Sequence, residues 1–196
     1  MNALTVNVAK TFAYSVFNSV IDNKPQHVTA TWAAICETLS THELRGNKNG
    51  KAFSPAEYAD GKRRGSSNVL RLNLIAVDID NGNINVVKKY CDAQGWAYVI
   101  HTTWSHTASR ECFRVVIQPS RPIHPHEWPA VWSALYHPLG AQADVMTEDL
   151  GRVFFLPSCP ESGSAEKFVY ISDGTTPADV DALLALHPQP ITSRTK

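Results

Sequence analysis

VLRLNLIAVDID, residues 69–80, is a near-continuous apolar run that ends in two aspartates. Such a run suits a central β-strand covered on both faces. Asp78 and Asp80 stand two apart, so both side chains lie on one face of that strand. Working outward, Asn85–Gln94 is polar and amphipathic and meets Gly95, which reads as a helix with a C-terminal stop. WAYVIHTT (96–103) and CFRVVIQ (112–118) are β-rich runs joined by the polar WSHTASRE (104–111). PHEWPAVWSALYH (125–137) starts with Pro and places Trp128, Val131, Trp132 and Leu135 on one side of a helix. RVFFLP (152–157) reads as a short buried strand, FVYIS (168–172) as an edge strand and Pro177–His187 as a closing helix. The order β-α-β-β-α-β predicts an α+β fold, an RRM-like split β-α-β core with its helices on one face of the sheet.

The N-terminal third reads as a small α/β appendage. HVTATWAAICETLS (27–40) carries Trp32, Ile35, Cys36 and Leu39 at helical spacing behind possible caps at Thr29 and Thr31. RGNKNGKA (45–52) is rich in Gly and Asn and predicts a mobile loop. Ser54-Pro55-Ala56-Glu57 has a capping-box pattern with Pro at the first helical position, which predicts a short helix. The expected division is 1–68 as a helical and basic-loop subregion packed on the core, 69–190 as the core, and 191–196 as a disordered tail.

The chain has 196 residues, 43% hydrophobic and 18% charged, enough apolar material for a packed core. No apolar run approaches the roughly 20 residues that cross a bilayer, and no basic stretch leads into an apolar one at the N-terminus. A soluble, cytoplasmic protein with no membrane partner is expected. Cys36, Cys91, Cys112 and Cys159 form no C-x-x-C pair, which argues against a zinc ribbon and for reduced thiols. A net charge of zero speaks against a nucleic-acid coat protein. Between Arg45 and Arg71, however, seven Lys or Arg face only Glu57 and Asp60, an excess of 7 − 2 = 5 positive charges. That segment is either a phosphate-binding face or a solvated basic loop.

Asp78 and Asp80 repel one another unless a cation sits between them, and hard divalent ions supply one with a preference for oxygen ligands. The plain alternative is a strand-end turn, for Asp80-Asn81-Gly82 is a common turn sequence. His106 and Ser105 sit in the polar connection between two strands, where imidazole and hydroxyl could hold a phosphate; an idle exposed histidine is the alternative. Arg114 is a charge within an apolar run, so it pairs with a carboxylate, faces an anion or points outward. Asp144, just before RVFFLP, could complete a site begun by Asp78 and Asp80 or be a loop residue. Asp149 and Arg152 are spaced to form a local ion pair. His124, His126 and Tyr136 do not suit a nicking-enzyme site, because Pro125 between the histidines favours a helix start. GKRRGSS (61–67) lacks the G-x-x-x-x-G-K-[ST] phosphate loop.

Together these residues resemble the archaeo-eukaryotic primase (AEP) superfamily, in particular primase-polymerase domains of plasmid and phage replication proteins. The resemblance rests on LIAVDID (Asp78, Asp80), TTWSHT (His106) and ADVMT (Asp144), and on SHT (105–107), FRVV (113–116), SRP (120–122), HEW (126–128) and GRVFFLPS (151–158) in the family's order. It covers about residues 50–160. It implies a DNA primase or polymerase that catalyses template-directed nucleotidyl transfer. Asp78, Asp80 and Asp144 are then ligands of Mg²⁺ or Mn²⁺, with His106 beside them in catalysis. His106, Ser105, Arg114, Arg63, Arg64 and Arg152 are implied to bind nucleotide or template phosphates. Implied partners are a single-stranded DNA template, ribo- or deoxynucleoside triphosphates, and a separate helicase or other replication proteins. A non-catalytic single-stranded-DNA-binding module and a metal-dependent nuclease are the other classes the same residues allow.

Overall fold

The computed structural model describes residues 9–186 apart from 137, 140–142 and 165. The chain opens with strand β1 (Thr11–Phe17), antiparallel to β2 (Gln26–Thr31) with Tyr14 opposite Val28. The segment 27–40 therefore divides at the second of its two possible caps. Its first part, with β-branched Val28, Thr29 and Thr31, finds a strand partner in β1, and the helix expected behind Thr31 follows. Only α1 (Trp32–Ser40) is helical, capped by the Thr31 hydroxyl, which accepts the Ala34 N–H at 3.3 Å. Next come β3 (Glu43–Leu44), β4 (Ala52–Ser54) and β5 (Ala56–Tyr58). No helix starts at Ser54-Pro55. The Ser54 hydroxyl accepts the Ala56 N–H at 3.3 Å in a tight turn, and the Glu57 carboxylate is taken by Arg71 at 2.7 and 3.0 Å. A side-chain bond to nearby backbone offers the chain this alternative to a cap.

The run 69–80 is two strands, β6 (Val69–Leu72) and β7 (Ile75–Asp80). The break is at Asn73, whose amide donates to the Ala13 carbonyl at 2.7 Å while its N–H donates to the Pro55 carbonyl at 3.0 Å. Then follow α2 (Ile84–Ala93), capped by Asn83, and Gly95 in the left-handed region at φ 67°. After these come β8 (Tyr98–Thr102), β9 (Cys112–Ile117) and α3 (Trp128–Tyr136). The chain ends with β10 (Phe154–Phe155), β11 (Ser158–Cys159), β12 (Val169–Ile171) and α4 (Val180–Ala185). The expected tail at 191–196 lies outside the described residues.

One sheet has the order β12-β8-β9-β7, all pairs antiparallel, so β7 and β8 run alike on either side of β9. The segment 152–157 does not join it. Phe154 and Phe155 pair with Phe53 and Ala52, closing a second sheet of order β10-β4-β1-β2. The fourth place in the first sheet goes to β12.

Alternation along each strand of the first sheet gives it two buried faces. Ile75, Val77, Ile79, Tyr98, Ile100, Phe113, Val115 and Ile117 pack with Val87, Trp128, Val131, Trp132 and Leu183 of the helices. Ala76, Val99 and Val116 face the other way, onto Phe12, Tyr14, Ile35, Leu39, Phe53 and Phe154. The helices therefore cover one face, and the N-terminal sheet with α1 covers the other. Among the described residues no helix is long and apolar enough to cross a membrane.

Gly174 marks where the segment before α4 runs closely beside Gly95–Ala97, with the Ala97 N–H donating to the Thr176 carbonyl at 2.8 Å. A Cβ on Gly174 would meet the Trp96 carbonyl oxygen at 2.2 Å, whereas one on Gly46 meets nothing within 4 Å. Gly174→Ala is expected to cost about 1–3 kcal/mol and Gly46→Ala less than about 0.5 kcal/mol, measured by urea unfolding.

Candidate functional site

On the face turned to the N-terminal sheet, the apolar rows end and an ionic row begins. Asp78 of β7 stands opposite Arg114 of β9, which stands opposite His101 of β8. The Arg114 Nε–H donates to Asp78 Oδ1 at 2.5 Å and its Nη1–H to the Phe155 carbonyl at 2.5 Å. The guanidinium also lies 4.7 Å from the centre of the Phe154 ring, a cation–π contact. Arg114 is 3% exposed, so its charge tolerates burial only because these partners use its donors. Of the readings open for Arg114, pairing with the site carboxylate is the one found. Asp80 shares the face, is exposed, and makes no ion pair with any described residue.

Asp144 comes alongside through the backbone. Ala143 bridges to Ile79, and the Asp144 N–H donates to the Asp78 carbonyl at 2.9 Å. Its carboxylate is otherwise engaged: Oδ1 caps the 3-10 turn Val145–Glu148 by accepting the Met146 N–H at 2.9 Å, and Oδ2 accepts from Arg152 Nη2 at 2.9 Å. The expected Asp149–Arg152 pair is thus replaced by Asp144–Arg152. Asp149 instead accepts from the Ser66 hydroxyl at 2.6 Å and from the Gly151 N–H at 2.9 Å. It stabilises the loop through those neighbours and leaves Arg152 to reach back.

Two cavities share the Asp78–Arg114 wall. The smaller, about 130 Å³, adds Asp80, His101, Ser105 and Lys48. The larger, about 300 Å³, adds Arg64, Arg152 and Asp149. Arg64 is fixed by an Nη1–H bond to the Val20 carbonyl at 2.9 Å. Arg63 lines neither cavity; its carbonyl accepts from the Asn68 amide. Nor does His106, whose Nδ1 accepts the Cys112 N–H at 3.2 Å and so pins the β8–β9 connection that carries Ser105. His124 and His126 stack on each other at 5.7 Å, while Tyr136 packs on Trp132.

Sequence reasoning missed His101 and Trp104, and had Lys48 only as one of the seven cations between Arg45 and Arg71. The one available signal for His101 is a lone polar ring inside WAYVIHTT. It is fully buried; its Nδ1 lies 3.1 Å from the Thr102 carbonyl, and its Nε2 has no partner. Burial, then the nearby Arg114 charge, push its pKa well below the ordinary histidine value. Burial lowers that of His42 as well.

No group of three or more His, Cys, Asp or Glu side chains that could hold a metal is found among the described residues. Asp78 and Asp80 do offer hard oxygen donors on one strand face at a cavity wall, which suits Mg²⁺ or Mn²⁺. The Asp144 carboxylate joins them only by leaving Arg152.

Two predictions follow from this row. Arg114→Ala strands the Asp78 carboxylate and the Phe155 carbonyl, and is expected to destabilise by about 3–5 kcal/mol. Asp78→Leu combined with Arg114→Met loses less in the same urea titration. His101 stays neutral in the folded chain, while the unfolded chain takes up a proton below about pH 6.5. The stability tied to this histidine is present above that pH and falls as pH drops, by at most about 1.4 kcal/mol per pH unit. Urea midpoints between about pH 7 and about pH 5 will fall more steeply for the wild type than for His101→Leu.

Residues 27–190 match the family of VapE N-terminal domains. No curated protein sequence matches the chain. Among solved structures, the AEP domain of the cyanophage S-2L primase-polymerase has a similar fold, with a TM-score of 0.52. Sequence identity is 15%, over 92% of this chain and 90% of that one; the likeness is one of fold.

Proposed function

Because the chain belongs to the VapE N-terminal domain family and has the fold of a primase-polymerase AEP domain, we propose that it catalyses template-directed nucleotidyl transfer in DNA replication. One observation carries the reading. A pair of carboxylates suited to cations and a guanidinium-lined cavity suited to phosphates meet at a single wall, Asp78–Arg114.

In the proposed reaction a 3′-hydroxyl attacks the α-phosphorus of a nucleoside triphosphate; the new P–O bond forms as the bond to pyrophosphate breaks, and the hydroxyl proton passes to solvent. Asp78, Asp80 and Asp144 would hold Mg²⁺ or Mn²⁺, which would supply charge neutralisation for the reaction. Arg64 holds the triphosphate from a guanidinium already fixed on the Val20 carbonyl, which needs no reorganisation as charge grows, and Arg152 joins it by exchanging the Asp144 carboxylate for a phosphate oxygen. Arg114 keeps the Asp78 carboxylate aimed, and Ser105, on the loop pinned by His106, offers a hydroxyl to the phosphates. The partners are a single-stranded DNA template, ribo- or deoxynucleoside triphosphates, and a separate helicase or other replication proteins. We place Arg63 with the template backbone, outside the cavities.

Incubation with single-stranded DNA, labelled nucleotides and Mn²⁺ is expected to give short products. Asp78→Ala and Asp80→Ala are each expected to reduce them by roughly 100-fold or more; products that survive these substitutions sink the assignment. A second reading, a non-catalytic single-stranded-DNA-binding replication module, draws on the closed Asp78–Arg114 pair, in which a protein cation already neutralises the carboxylate. It expects salt-dependent DNA binding indifferent to Asp78→Ala and no synthesis.

A further inference from the structure

Of the five tryptophans, four serve the interior. Trp96, Trp128 and Trp132 are buried in the helix-side core, and Trp32 packs edge-on against Phe12 beside the other core. Trp104 belongs to neither. It is partly exposed, two residues past β8, and forms the wall of the smaller cavity beside Lys48, Asp80 and Ser105. Its indole N–H donates to the Arg45 carbonyl at 3.4 Å. The ring is therefore tied by one edge to the Gly- and Asn-rich basic loop, and that same loop brings Lys48 to the cavity.

A flat apolar ring of this size ordinarily packs inside or at an interface. Trp104 is held by its edge and lines one cavity with Lys48 and two carboxylates, and its exposed part offers apolar ring surface to another flat ring. We propose that Trp104 is a stacking platform for a nucleobase, with Lys48 taking a phosphate of the same strand or nucleotide. This rests on the nucleotidyl-transfer reading and extends it to the base, which neither the carboxylates nor the arginines of the site recognise. Stacking of this kind is sequence-tolerant, because every base has a π face. The cavity, at about 130 Å³, is comparable with the roughly 150 Å³ void that takes up a benzene ring. The base then lies over the exposed part of the indole, with room for one edge in the cavity. Two sources carry this chemistry: an unpaired template base and the base of the incoming triphosphate.

Fluorescence-polarisation titrations separate them. The probes are a labelled oligothymidylate, the same oligonucleotide with abasic sites, and a labelled deoxynucleoside triphosphate with Mn²⁺. Trp104→Ala is expected to weaken at least one of the base-bearing probes by about 5- to 150-fold, and Trp104→Phe by much less. Loss confined to the oligonucleotide assigns the template base; loss confined to the triphosphate assigns the incoming one. If the template base is the ligand, the abasic strand binds the wild type no better than the normal strand binds Trp104→Ala. In either case the bound probe quenches tryptophan emission in the wild type, and Trp104→Phe loses that quench. Lys48→Ala lowers the salt slope of oligonucleotide binding by about one charge if the strand is the ligand. Unchanged affinity of both probes for Trp104→Ala, with the quench retained in Trp104→Phe, overturns the proposal. Should Trp104→Ala fail to fold, the Trp104→Phe quench and the abasic comparison decide alone. Asp78-dependent synthesis without any Trp104 effect overturns this inference only, whereas a wild type that binds neither probe overturns the functional reading with it.

Discussion

The structure is organised around one buried guanidinium. Arg114 sits in the middle of the first sheet, and its bonds reach Asp78 on β7 and the carbonyl of Phe155 on β10, a strand of the other sheet. A charge this deep requires its donors to be used. The same side chain therefore holds the two sheets in register, orients the carboxylate and divides the two cavities. A ligand that engages Asp78 does so in competition with a bond on which the packing of two layers rests.

Much of this was legible because it is local or periodic. The strand 75–80, the helix after it and the polar connection 104–111 follow from apolar patterning, amphipathicity and turn chemistry. So does the shared face of Asp78 and Asp80, which a period of two dictates. The readings that failed did so on long-range partners. The apolar run 69–80 gives no local reason to break at Asn73; the reason is a carbonyl at Ala13. Ser54-Pro55-Ala56-Glu57 is a sound helix start until Arg71 claims the glutamate. Arg152 looks best matched to Asp149, three residues away, but Ser66 satisfies Asp149 from another part of the chain. That the run 69–80 is covered on both faces could be read from its apolar pattern; what was hidden is that β10 reaches β4 from far along the sequence to help build that cover.

The charge balance has a comparable logic. A chain with no net charge still separates its charges locally. Asp80, without an ion pair to any described residue, lines one cavity beside Asp78, and guanidinium groups line the neighbouring one. The field that matters to a charged ligand is this local one, focused by a low-dielectric wall, and a neutral pI does not report it.

The closing strand β10 also bears on how the chain comes to be folded. Phe154 pairs with Phe53, so the N-terminal sheet lacks one of its strands until the segment around residue 154 has been made. Domains that emerge from a ribosome tend to fold from the N-terminus as units; here β1, β2 and β4 belong to a sheet whose remaining strand comes only after the whole of the other sheet's β7, β8 and β9. Pairings of such sequence separation are slow to form. Assembly of the two layers, and with it the seating of Arg114, thus waits on β10, and the ionic row between them reports that both layers are in place.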